Sequence, residues 1–378
     1  MANLENIIYF DHAATTSPLQ EVVSIYNDAL KSSFYNPASA HQAGTRTSRE
    51  LENARNDILK AFGLNNYSLV FTSGTSEANN LALKGFAHRY QKRGKHIITS
   101  SFEHPSVTNA LKALENEGFE VTYLPTPKGF VDFRELEKAI RPDTILVSIM
   151  AVNNEVGFIQ DINNISKAVR SKGIKLHIDA VQAVGKIDID YNDADLITVS
   201  LHKIGGLKSS GLLLYKKGIE LVPQIDGGGQ ENGLRSGTND VPMALSSCYA
   251  IKYALSHQVK SYEYCQELVM PLYDYLAKHP DLYELNSTID NPFIVNFSFK
   301  NKKASVFVEA LSSRGIMVAS KSACSSRLDK GSVTLLAIGK SSQIANNAMR
   351  LSFSTTNTPE EIAKFIEVLD QLVKELRA

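Results

Sequence analysis

At 378 residues the chain is about two and a half times a usual single-domain length of about 150, so one large domain plus one smaller one is expected and a short binding module is excluded. Forty Lys and Arg balance forty Asp and Glu for a formal charge of zero, which leaves no basic excess to neutralise nucleic-acid phosphates or anionic lipid. With 43% hydrophobic and 21% charged residues the composition is that of an ordinary globular protein, not of a disordered or fibrous one. The longest apolar stretch, near 144–152, falls short of the roughly 20 residues that cross a bilayer. The start Met-Ala-Asn-Leu-Glu lacks the basic and apolar regions of a signal peptide, so a cytoplasmic location is expected. Three cysteines without a C-x-x-C spacing argue against a disulfide framework and against a metal site built of cysteines alone.

In chain order, β-branched runs at 68–72, 96–100, 119–124, 144–150, 174–178, 196–200 and 211–215 read as strands. Most of the connections are helix-length. Ala78, Leu81, Ala82, Gly85 and Phe86 recur at helical spacing, as do Leu111 and Leu114, then Ile165, Ala168 and Val169. This alternation predicts an α/β fold with a mostly parallel sheet covered by helices on both faces. After Gly227-Gly228-Gly229 the pattern changes to two longer helices, 241–257 and 261–278, and then to a strand in which Phe293, Val295, Phe297 and Phe299 alternate. A smaller α+β domain is therefore expected from 242 to 378, joined by 1–15, with the large domain spanning 16–241. Pro359, followed by Glu360 and Glu361, opens a last amphipathic helix.

Several residues in this frame can carry chemistry. Phe71-Thr72-Ser73-Gly74-Thr75-Ser76-Glu77 runs from a strand through a small-residue turn into a helix, where free N–H groups suit a phosphate; its plainer reading is a Ser/Thr cap reinforced by Glu77. Lys203 follows a strand end and precedes Gly205-Gly206. It reads either as a solvated loop lysine or as an amine able to hold an aldehyde cofactor. Asp179 ends the strand 174–178 and can reach the same sheet edge, although alone it would read as a cap or a surface ion pair. Pyridoxal phosphate needs such a pair, an acid for its ring nitrogen and a lysine for its aldehyde. His104, in Phe102-Glu103-His104-Pro105, is placed at the same edge, where an imidazole can stack on a ring and move protons. Cys248 and Cys265 fall on apolar helical series and read as small core residues, whereas Cys324 lies in the polar run Ser320-Lys321-Ser322-Ala323-Cys324-Ser325-Ser326-Arg327. Two cations there favour a thiolate nucleophile.

Taken together, the motifs resemble the cysteine desulfurases of the NifS/IscS type, pyridoxal-phosphate enzymes of the aminotransferase fold. The resemblance rests on Tyr9-Phe10-Asp11-His12-Ala13-Ala14-Thr15-Thr16, Asn36-Pro37-Ala38-Ser39-Ala40-His41, Phe71-Thr72-Ser73-Gly74 and Val152-Asn153-Asn154-Glu155-Val156-Gly157. It continues through His177-Ile178-Asp179-Ala180-Val181-Gln182, Ser200-Leu201-His202-Lys203, Arg235-Ser236-Gly237-Thr238, Ser322-Ala323-Cys324 and Arg350-Leu351-Ser352. It implies that Lys203 is the Schiff-base lysine, Asp179 the pyridine partner, His104 the stacking residue and Gln182 a donor to the cofactor's phenolic oxygen. It further implies that Thr75, Ser76, Ser200 and His202 hold the phosphate, joined by Thr238 from the other subunit of a homodimer. Asn154 and Arg350 would hold the substrate carboxylate, with Asn154 also beside the cofactor, and Cys324 would take the sulfur of L-cysteine as a persulfide for a sulfur-acceptor protein. The implied product is L-alanine, and the implied destinations of the sulfur are iron–sulfur cluster assembly and/or tRNA thiolation. A selenocysteine lyase or another β-elimination enzyme shares the same cofactor residues and is the alternative. The chain departs from the family pattern at Lys321, where glycine is usual, at Thr75-Ser76, at Leu207 and Ser209, and at His12.

Overall fold

The computed structural model describes residues 7–320 and 331–376. The strands are β1 (Ile8–Tyr9), β2 (Tyr67–Thr72), β3 (His96–Ser100), β4 (Glu120–Leu124), β5 (Thr144–Met150), β6 (Lys175–Asp179), β7 (Leu196–Ser200) and β8 (Gly211–Lys216). They continue with β9 (Tyr283–Leu285), β10 (Ile294–Phe299), β11 (Ile316–Met317) and β12 (Ala348–Ser352). The seven expected strands of the large sheet all form, in the order β2-β8-β7-β6-β5-β3-β4. Only β8 runs against its neighbours β2 and β7, and the other pairs are parallel. Every residue of β3, β5, β6 except Lys175, and β7 is buried, because helices cover both faces of a parallel sheet. The helices Pro105–Asn116, Phe133–Ala139 and Ile162–Ser171 make three of the crossovers.

This topology brings the site together. In parallel strands the carboxyl ends share one edge, and ligands bind there. The register pairs Met150 with Asp179 and Asp179 with Thr198, while Gly211 pairs with both Ser200 and Thr72. Gly211 has no room for a side chain, since an added Cβ would lie 2.5 Å from the Gly74 carbonyl carbon. That close approach seats the 73–76 turn directly on the sheet edge, and Gly74 enters it at φ 147°, a backbone region that favours glycine.

A smaller antiparallel sheet, β12-β10-β9, and the parallel pair β1-β11 form the second layer. Phe10, Phe297, Phe307, Phe353 and Phe365 are fully buried in its core. All six residues of β10 are buried, so the alternation of Phe293, Val295, Phe297 and Phe299 marks a strand with both faces covered rather than a half-exposed one. The expected pair of helices after 241 is one 38-residue helix, Val241–Lys278. Gln258, Val259 and Lys260 supply no glycine or proline to break it, and Pro271 sits inside it. Its first half, with Ala244, Cys248 and Ile251, packs into the large core; Leu268, Val269 and Leu272 pack into the smaller one. The last helix, Pro359–Glu375, starts with Thr358 and Glu361 exchanging hydrogen bonds in a capping box. Among the described residues no helix is long and apolar enough to cross a membrane.

Candidate active site

A cavity of about 360 Å³ opens at the carboxyl edge of the large sheet. Ten of the residues singled out in the sequence line it: Thr75, Ser76, His104, Asn154, Asp179, Gln182, Ser200, His202, Lys203 and Arg350. Thr238 is exposed and does not line it, and Cys324 lies outside the described residues.

Lys203 ends a short 3-10 turn that follows β7 directly. Its Nζ donates to the carbonyls of Ala13, at 2.6 Å, and Ala14. The segment carrying those carbonyls is anchored on β12 of the smaller sheet, where Ser352 N donates to Phe10 O at 2.8 Å and Ala13 N to Ser352 Oγ at 2.8 Å. The large sheet thus supplies the lysine and the segment tied to the smaller sheet supplies its acceptors. His12 shapes this segment: it pairs with Thr16 Oγ1 at 2.9 Å, packs edge-on to Tyr9, and is held down to about 4 chiefly by burial, so it is neutral at pH 7.

Asp179 is buried at the end of β6, with Oδ1 accepting from Val181 N at 3.1 Å and Oδ2 from Asn79 Nδ2 at 3.0 Å. Burial raises its carboxyl above the ordinary value, against the opposing pull of His104, the Asn79 and Val181 donors and Lys203. A cation placed against it would relieve that cost. His104 caps the Pro105–Asn116 helix, and its Nδ1 accepts from Ser106 N at 3.2 Å. Burial lowers it, so it too is neutral at pH 7. His202 is lowered to about 4 by burial first and Lys203 second.

At the other end of the cavity, Glu77 accepts from Ser73 N at 2.8 Å and from Arg235 Nε at 3.0 Å. The glutamate therefore reinforces the turn as the plainer reading foresaw. The turn nevertheless keeps a donor in reserve, because Thr75 Oγ1 is buried with no partner among the described residues. The Thr75–Asn80 helix continues through a π turn at Leu81–Gly85, a local widening common at functional sites. Near Lys203, the Gln182 amide is oriented from both sides: Lys186 Nζ donates to its Oε1 at 3.0 Å, and its Nε2 donates to Ala13 O at 3.0 Å. Lys186 is buried, and desolvation with the nearby Lys203 lowers it to about 7.

Arg350, on β12, is also buried. Its Nη1 donates to Asn154 O at 2.8 Å and its Nη2 to Asp11 Oδ1 at 2.6 Å, while Nε has no partner among the described residues. A guanidinium kept in this state has unused N–H groups for a carboxylate.

A model of the aminotransferase class-V family matches residues 8–365. The chain belongs to the class-V aminotransferase family. Among curated relatives, the cysteine desulfurase IscS of Dictyoglomus turgidum is 39% identical over 380 aligned positions, covering 98% of this chain and 95% of the relative. Among solved structures, a NifS-like protein matches with a TM-score of 0.90 at 33% identity, over 98% of this chain and 100% of its own. A structure described as SspA in complex with cysteine matches at 0.77 and 34% identity, over 92% and 98%. Pyridoxal phosphate is the cofactor of this class-V chain, and the residues present fit it. Asp179 offers a buried anion to the ring, Lys203 an amine to the aldehyde, and the orphaned Thr75 hydroxyl a phosphate donor.

Asp11, Asn79, Glu103 and Lys186 were not singled out from sequence, although Asp11 and Glu103 lie within the quoted motifs. Asn79 sits four residues after Thr75, one turn along the same helix, and that spacing was the available signal. Glu103 is a buried carboxyl pushed up to about 8 by desolvation; its Oε1 accepts from Met150 N at 3.0 Å and from Ser100 Oγ. A carboxyl raised in the folded state from 4.5 to about 8 adds stability that is whole below the lower value and is lost as pH rises through the upper one. Glu103→Gln resembles the protonated acid, so denaturant unfolding from pH 5 to pH 8 should show the variant gaining on the parent by at most about 1.4 kcal/mol per pH unit. Parallel stability curves for the two proteins would contradict the assignment.

Proposed function

We propose that the chain is a cysteine desulfurase, which converts L-cysteine to L-alanine and passes the sulfur through Cys324 to an acceptor protein for iron–sulfur cluster assembly and/or tRNA thiolation. The observation that carries the reading is the buried Arg350 with its unpaired Nε in the same cavity as Lys203 and Asp179. An α-amino acid presents a carboxylate beside its reacting carbon, and this cavity pairs a carboxylate holder with an amine. The relatives' names point to the same reaction.

Bound pyridoxal phosphate supplies an electron sink that makes the substrate's α-proton acidic. Thr75, Ser76, Ser200 and His202 would hold its phosphate, and Asp179 would face its ring nitrogen and favour the protonated form. Arg350, braced by Asp11 and the Asn154 carbonyl, orients the substrate by its carboxylate with Asn154 alongside. Lys203 would hold the cofactor's aldehyde in the resting protein and, as a free amine in this cavity, would be the base that removes the substrate's α-proton. Gln182, its amide oriented by Lys186, would offer N–H to the cofactor's phenolic oxygen. His104 would stack on the ring and, with its proton on Nε2, can give that proton within the cavity. Cys324 then attacks the substrate sulfur: the S–S bond forms as the Cβ–S bond breaks, and the electron pair left on Cβ takes up a proton. Lys203 returns a proton to the α-carbon, alanine leaves, and Cys324 retains the persulfide until an acceptor thiol takes its outer sulfur. Thr238, exposed and away from its own chain's cavity, reaches the phosphate of a second copy in a homodimer, and the enzyme works in the cytoplasm.

Product analysis tests this reading. After incubation of the purified protein with L-cysteine, alanine should form in equal amount to the sulfur transferred. Pyruvate and ammonia in place of alanine would overturn the desulfurase reading in favour of β-elimination.

A further inference from the structure

Asn79 is fully buried, and its amide makes three hydrogen bonds. Nδ2 donates to Asp179 Oδ2 at 3.0 Å and to Ser106 Oγ at 2.8 Å, while Oδ1 accepts from Thr198 Oγ1 at 2.6 Å. Turning the amide over would set its oxygen against the Asp179 carboxylate, so this orientation is forced.

The direction of donation can be followed outward from there. A backbone N–H only donates, and Ser106 N lies 3.2 Å from His104 Nδ1; that nitrogen is therefore the unprotonated one. Ser106 Oγ, which accepts from Asn79, stands 2.8 Å from the same Nδ1 and gives it the hydroxyl hydrogen. The His104 proton is thereby assigned to Nε2. On the far side, Thr198 has given its hydrogen to Asn79 and accepts from His177 Nε2 at 3.3 Å, and His177 Nδ1 accepts from Ser148 Oγ at 2.8 Å. Full burial lowers His177 to about 3, which keeps the ring neutral and allows one donor and one acceptor nitrogen. One direction of donation thus runs from β5 through β6 and β7 to His104, and it branches at Asn79 to Asp179.

We propose that Asn79 is a positioning residue that sets the two ring partners together: its amide holds the Asp179 carboxylate and, through Ser106, keeps His104 in the Nε2–H form. This goes beyond the desulfurase reaction but rests on the reading of the cavity as a pyridoxal phosphate site. It explains why a polar amide occupies a fully buried position where an apolar side chain would cost less. It also couples two groups that would otherwise be set independently, since no shorter polar link between Asp179 and His104 is present among the described residues than the one through Asn79 and Ser106.

Nitrogen-15 NMR of histidine-labelled protein, apo and loaded with pyridoxal phosphate, tests the proposal, with His104 signals assigned from His104→Gln. The wild type should show His104 and His177 both as the Nε2–H form; either ring protonated on Nδ1 instead would break the chain of donors and overturn the proposal. Asn79→Asp replaces the donor facing Ser106 with an acceptor. The Ser106 hydroxyl then turns its hydrogen away from His104, the Nδ1–H form becomes populated, and kcat falls at least about tenfold with KM for cysteine within about twofold. Ser106→Ala removes the shorter of the two donors to Nδ1 while sparing the bond to Asp179. It should move the tautomer ratio in the same direction and leave cofactor affinity within about twofold. Wild-type tautomers and wild-type kcat in the folded variants would overturn the proposal. A wild-type protein that takes up no pyridoxal phosphate would overturn the cavity reading and this proposal with it, and is recognised separately by the missing cofactor absorbance.

Discussion

Lys203→Ala is expected to lose the covalent link to pyridoxal phosphate and to lower kcat by about 10³- to 10⁴-fold, the upper range for a positioned proton-transfer group, while remaining folded. The side chain is half-buried at the end of a turn, so its loss opens no large core cavity. What disappears is an amine fixed against two backbone carbonyls of the 13–14 segment, and among the described residues no other lysine bonds those carbonyls. Lys186 is buried and tied to Gln182 Oε1. Borohydride reduction of the wild type followed by peptide mapping should place the label on the peptide containing Lys203. A labelled peptide lacking Lys203 would end the assignment.

Cys324→Ser should stop sulfide release from cysteine by at least about a hundredfold and leave cofactor binding intact. The argument is one of contrast among three thiols. Cys248 and Cys265 are buried, and desolvation pushes them up to about 11 and about 12, so neither supplies a thiolate at neutral pH. Cys324 lies outside the described residues, but its sequence neighbours Lys321 and Arg327 favour the ionised form and the polar run suits a group that must deliver sulfur. Mass spectrometry after brief exposure to cysteine should find one added sulfur on the Cys324 peptide. Cys248→Ser and Cys265→Ser should cost stability instead, by about 1–3 kcal/mol for burying a hydroxyl. Alanine and sulfide released at the parental rate by Cys324→Ser would refute the persulfide step.

The sequence by itself determined the seven strands of the large sheet, because their β-branched runs are short, apolar and separated by helical periods. It also determined Lys203 and Asp179 as a pair, since residues that end parallel strands are delivered to one edge whatever the loops do. Cys248 and Cys265 were legible as core residues from helical spacing alone. Local signals decided less where nothing local changes: a helix pattern weakens between 257 and 261, yet the chain runs helically straight through because tertiary packing of both halves, one on each core, outweighs a few polar residues.

Only the tertiary structure decided the polar contacts that make the site work. Asp11 meets Arg350 across 339 positions of sequence, and Asn79 meets Asp179 across 100. In sequence Asp11 and Asn79 are ordinary polar residues, each with a plausible place on the surface. Burial changes their meaning: a polar group taken out of water must find a partner, and which partner it finds depends on strand order and tertiary packing rather than on its neighbours in the chain.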